Sequence, residues 1–151
     1  MLAAFELDEV NSVLQQLMEK ARSAGFGGGE SEHHKNFKNA VAQNPNLLGL
    51  DVPPGRTEYR LLSADCIDVV FINKTELIAV EVKSSISADI DILRGLFQCV
   101  KYKYLIQAEQ IVENMEPNTM VILALQGTFP AKLLSVKNCL GIEVIDQIKS
   151  L

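Results

Sequence analysis

Val10, Val13, Leu14, Leu17, Met18 and Ala21 recur at helical spacing and form one apolar stripe, which predicts a first helix over residues 6–22. Gly25, Gly27, Gly28 and Gly29 then break the pattern. A phosphate-cradling loop needs Lys and then Ser or Thr after its last glycine; Glu30 stands there, so the glycines read as a flexible joint. A second helix is predicted over residues 31–43, with Ser31 as its cap, Glu32 in its first turn and Asn44-Pro45-Asn46 as its stop. After a Pro53-Pro54-Gly55 loop, strands are predicted at residues 57–62, 66–72 and 77–84. A long helix over 90–113 carries Leu93, Phe97, Val100, Tyr104, Ala108 and Ile111 at steps of three and four. Residues 120–125 are almost wholly apolar, as in a central strand covered on both faces. A short helix over 130–140, closed by Gly141, and a last strand over 142–145 complete the chain. This order, ααβββαβαβ, predicts an α/β fold: residues 1–30 form an N-terminal helix and joint, and residues 31–151 a single domain.

Composition narrows the function classes. A length of 151 residues suits one hydrophobic core. The net charge of −5 weighs against broad coating of nucleic acid, which depends on phosphate neutralisation, but is compatible with a local basic patch beside an acidic site. No apolar run is long enough to span a bilayer, and residues 1–5 lack the basic start and cleavage pattern of a signal peptide. Cys66, Cys99 and Cys139 are odd in number and show no paired zinc spacing; they read as reduced, buried thiols of a cytoplasmic protein.

Candidate chemistry sits in two of the strands. Asp68 interrupts the apolar run Cys-Ile-Asp-Val-Val-Phe-Ile, and Glu81 and Lys83 interrupt Ile-Ala-Val-Glu-Val-Lys. Burying such charges is costly unless they are paired or bind a metal. Glu81 and Lys83, two apart, share one strand face. If the strands form a hairpin with a four-residue loop, Asn73-Lys74-Thr75-Glu76, Ile72 pairs with Leu77 and Asp68 lies opposite Glu81. A one-residue slip would put the two acids on opposite faces. Facing carboxylates repel unless a cation lies between them, and an all-oxygen set suits Mg²⁺ or Mn²⁺. Such an ion lowers the pKa of a water and neutralises charge on a phosphoryl group, while Lys83 can hold the water or stabilise the transition state. Asp65 is a rival to Asp68, but its place before the strand is that of a turn residue. His33 and His34 diverge by about 100° on a helix and read as surface residues rather than paired ligands.

Asp68, a strand–turn–strand and then Glu81-Val82-Lys83 resemble the signature of the PD-(D/E)XK nuclease superfamily, although Ile67 replaces the proline of the motif. Gln98-Cys99-Val100-Lys101-Tyr102 on the following helix resembles the Gln-x-x-x-Tyr element of the RecB-like branch. The resemblance covers residues 31–125 and implies a restriction-endonuclease-like fold, a central mixed sheet flanked by helices. It implies DNA as substrate, with RNA open, and Mg²⁺ or Mn²⁺ held by Asp68, Glu81 and the Val82 carbonyl. A further acid from the helix before the sheet is implied, with Glu32 the choice and Glu30 the alternative. Gln98 and Tyr102 would lie beside the metal, on one helix face with Arg94. Arg94, Lys101 and Lys103 keep nucleic acid in play, and the expected nucleic-acid contacts are Arg94, Lys101 and Tyr102, the tyrosine hydrogen-bonding to the strand or stacking on it. A homodimer or a partner subunit is compatible, since one narrow site needs two copies to cut both strands.

The alternative is a non-catalytic nuclease-fold binding module or subunit of a larger complex. The intact Asp68, Glu81 and Lys83 favour an enzyme; the small size and negative charge favour a module. A Rossmann nucleotide-binding domain is excluded by the lack of a Gly-x-Gly-x-x-Gly after any strand.

Overall fold

The computed structural model describes residues 11–16, 19 and 31–149. Residues 11–16 and 19 are helical, and Val13 and Leu14 pack on the main core; the rest of the predicted first helix, the glycine joint and Glu30 lie outside the described residues. Helix α1, Glu32–Gln43, begins as the sequence predicts: the Ser31 side chain accepts the His34 N–H at 3.2 Å. A single helical turn at Pro45–Leu48 leads to strand β1, Arg56–Arg60. Strand β2, Cys66–Asn73, and strand β3, Glu76–Lys83, form a hairpin. Helix α2, Asp89–Val112, crosses to strand β4, Thr119–Leu125. Helix α3, Leu134–Leu140, ends on Gly141 in the left-handed conformation, as predicted, and precedes strand β5, Glu143–Ile145.

The five strands are ordered β1-β2-β3-β4-β5. The first three are antiparallel, and β3, β4 and β5 are parallel, which the α2 crossover permits. One sheet face packs on α1, with Phe37 and Val41 against Val69, Phe71, Val80 and Ile122. Burial of each of the two phenylalanines contributes roughly 2–3 kcal/mol. The other face packs on α2 and α3, with Leu96, Ile106 and Val136 against Ala79, Leu123 and Leu125. Val121 to Leu125 are all buried, as a strand covered on both faces requires. Among the described residues, no helix is long and apolar enough to cross a membrane.

Three expectations change. The β2–β3 loop has two residues, Lys74 and Thr75, because Lys74 adopts a φ of 56° and Asn73 pairs with Glu76; the Ile72–Leu77 register is unaffected. Helix α2 is turned about its axis from the predicted stripe. Phe97, Tyr104, Ala108 and Ile111 are exposed, and Ile92, Leu96, Cys99, Tyr102 and Ile106 face the core. Only Cys99 is a buried thiol; Cys66 and Cys139 are exposed.

Candidate active site

The two ladders flanking β2 both break at Asp68. Between β2 and β3 the pairs run from Asn73–Glu76 back to Val69–Val80 and stop. One further step would place Asp68 opposite Glu81. There the Asp68 Oδ2 accepts the Val82 N–H at 3.0 Å, in place of a backbone carbonyl. An extended residue turns its N–H and C=O to the same side, so the Val82 carbonyl also faces β2. Between β1 and β2, Thr57–Val69 and Tyr59–Ile67 pair, while Glu58 between them has a φ of 52°. Such a conformation costs of order 1 kcal/mol in a non-glycine residue. Glu58, Asp68 and Glu81 thus form a row across three strands where the sheet is open. A cleft of about 500 Å³ is lined by His34, Lys38, Glu58, Asp68, Lys83 and Ser84 among others, while Glu81 is buried beneath it and does not line it.

Each acid in the row faces a nitrogen base. Lys83 Nζ lies 3.2 Å from Glu81 Oε1, Lys38 Nζ lies 3.0 Å from Glu58 Oε1, and His34 Nε2 lies 3.7 Å from Asp68 Oδ2. Their environments drive the two central acids apart. Burial, and then the Asp68 charge, push the Glu81 carboxyl from its ordinary 4.5 up to about 8. Burial would raise Asp68 too, but the His34 imidazole, the Val82 N–H and the Lys38 charge hold it below the usual carboxylate range.

Helix α2 roofs the site at Gly95. A Cβ there would stand 2.8 Å from Leu123 Cδ1, 3.1 Å from Lys83 Cε and 3.7 Å from Glu81 Cγ, so a bare backbone lets the helix settle on the two charged side chains. One turn on, Cys99 is buried in the core. Tyr102 is buried and donates its hydroxyl proton to the Cys66 carbonyl at 3.0 Å. Burial, and then the Glu81 and Asp68 charges, raise its pKa. This position suits a hydrogen-bonding role and leaves the ring no open face for stacking. The Gln98 Oε1 is buried without a hydrogen-bond partner, in a shallow hollow with Arg94, Phe97 and Lys101. Arg94 pairs with Asp91, and Lys101 with Asp65. Asp65 bonds Ser63 in the turn before β2, the place the sequence assigns it.

Glu32 is exposed on the first turn of α1 and does not line the cleft; His34, expected as a surface residue, reaches Asp68 instead. Lys38 and Glu58 were not anticipated. A signal for Lys38 was present: it falls between Phe37 and Val41, inside the apolar arc of α1. No signal marked Glu58, whose placement follows from the register of a neighbouring strand.

The donor set is compatible with a hard divalent cation. Glu81 is 3% exposed, and its Oε2 has no hydrogen-bond partner, an orphaned oxygen beside a second carboxylate. Among the described residues, no group of three or more His, Cys, Asp and Glu side chains is placed to hold one ion.

No family model and no curated protein matches the chain. Solved structures do. A repair endonuclease from Pyrococcus abyssi aligns with a TM-score of 0.54 at 16% identity, over 80% of this chain and 49% of the other. The chain has a nuclease fold. EndoMS in a dsDNA complex aligns with a TM-score of 0.50 at 12% identity, over 82% of this chain and 47% of the other. The chain therefore spans about half the length of these two nuclease-fold structures.

Proposed function

We propose that the chain is a metal-dependent nuclease that hydrolyses phosphodiester bonds in DNA at the Asp68–Glu81–Lys83 site. The observation that carries this reading is the unpartnered, buried Oε2 of Glu81 at the break in the sheet where Asp68 takes the Val82 N–H. The nuclease fold supports it, as does the DNA complex formed by one neighbour. Asp68, Glu81 and the Val82 carbonyl would hold Mg²⁺ or Mn²⁺, which supplies an acidified water and charge neutralisation at the phosphoryl group.

The chain's own residues do the rest. Lys83 lines the cleft with its ammonium on Glu81, placed to hold the attacking water or to donate to a phosphoryl oxygen as negative charge builds. Tyr102 ties the start of β2 to α2 through the Cys66 carbonyl and so fixes Asp68, two residues on. On the RecB-like reading Gln98 would orient a ligand or water, and Tyr102 would act through its hydroxyl. Arg94 and Lys101, which line a separate hollow on α2 with Phe97 and Gln98, would contact phosphate. The contribution from α1 that the resemblance assigns to Glu32 is better matched by His34. The three free thiols suit a cytoplasmic protein.

Incubating labelled single- and double-stranded DNA with the purified chain tests the reading. Cleavage with Mg²⁺ or Mn²⁺ that stops on chelation is expected. Binding without cleavage under every ion condition would transfer the chain to the class of non-catalytic nuclease-fold modules.

A further inference from the structure

Lys38 is a costly residue where it stands. It is 4% exposed, on a face of α1 that otherwise buries Phe37, Val41 and Ala42. A buried ammonium needs an anionic partner. Its ion-pair partner Glu58 is a poor match in burial: the Glu58 side chain is 63% exposed, and its backbone is held at a φ of 52° inside a strand. Lys38 and Lys83 both line the cleft with Glu58 and Asp68, and Ser31, Ser84 and Ser87 add hydroxyls to its wall. Lys38 is buried in the core, whereas Glu58 stands exposed on the edge strand of the sheet. The lysine is the built half of this pair and the glutamate the replaceable half.

We infer that Lys38 forms a phosphodiester-binding subsite and that Glu58 occupies it in the free protein as an internal mimic of the phosphate. Resting on the nuclease reading, this places a strand-holding cation, Lys38 from α1, in the same cleft as the catalytic Lys83 from β3. The nucleic-acid backbone enters by displacing the Glu58 carboxylate from Lys38. Lys38 is a binding and positioning residue: it holds the strand, and the chemistry stays with Asp68, Glu81 and Lys83. The exchange of one anion for another leaves the buried ammonium partnered throughout, which is why a lysine is tolerated there.

Anisotropy of a fluorescent single-stranded oligonucleotide, measured with chelator present so that no turnover occurs, tests the subsite apart from catalysis. Glu58 is exposed, so Glu58→Gln should fold. It is expected to bind about three- to tenfold tighter than the parent, because the competing carboxylate is gone. Lys38→Met, apolar and of similar length, should bind about tenfold or more weakly, with a log K against log salt slope smaller by about one contact. The double variant decides the matter. If Glu58 acts through Lys38, Glu58→Gln gives no gain in the Lys38→Met background; if it acts as a general negative charge, the gain persists in full. A persistent gain, or no gain in the single variant, overturns the subsite. Absence of cleavage by the parent chain with metal would instead sink the nuclease reading while leaving this binding result to stand or fall separately.

Discussion

Replacing Glu81 by Gln keeps the shape of the side chain and removes its charge. With no ion bound, this charge opposes folding. The carboxyl titrates near 4.5 in an unfolded chain and at about 8 in the fold, through burial and then the Asp68 charge. The folded state therefore binds the proton more tightly than the unfolded state. Stability is fully present below pH 4.5 and is lost as pH rises through about 8. Between pH 5 and pH 8 this group costs the ion-free protein about 3 kcal/mol. Glu81→Gln escapes that cost, less a small loss from the Lys83 contact at high pH. Urea unfolding followed by circular dichroism in chelator, at steps from pH 5 to pH 8, measures the difference. The variant should match the parent at pH 5 and exceed it by about 3 kcal/mol at pH 8. Saturating Mn²⁺ should then stabilise the parent and not the variant. A difference between the two proteins that is the same at every pH would refute the buried-charge account of Glu81.

Lys83→Ala should lower turnover by about 10²–10³ while Mn²⁺ and DNA binding persist, read by single-turnover cleavage beside equilibrium binding; parent-like cleavage would reduce Lys83 to a charge-balancing residue. Tyr102→Phe keeps the buried ring and removes its bond to the Cys66 carbonyl, so thermal unfolding should show a loss of about 1 kcal/mol, and cleavage should fall with oligonucleotide binding unchanged. Unchanged cleavage would make Tyr102 a packing residue only.

The elements legible in the sequence were those whose local pattern matched their tertiary surroundings. Met120 to Leu125 is apolar because both its faces are covered, and the Ser31 and Gly141 caps act within one turn. The Asp68–Glu81 relation was legible because the Ile72–Leu77 register survives a change of turn length. The face of α2 was not. Its apolar residues outnumber those the core can take, and the helix is set instead by Gly95 fitting over Lys83 and Glu81. Tertiary contact, not periodicity, chose among several possible stripes. The site positions of His34, Lys38 and Glu58 were not legible for a related reason: they depend on which helix face meets which strand end, and no spacing within one element records that.

Mn²⁺ binding to the parent and to Asp68→Ala, followed by titration calorimetry at pH 7.5, tests the central claim most directly. Two acids from adjacent strands that converge on one cation predict binding by the parent and none by the variant, which keeps Glu81 but loses the facing carboxylate. Equal binding by the two proteins would contradict a metal-dependent site built on Asp68 and Glu81.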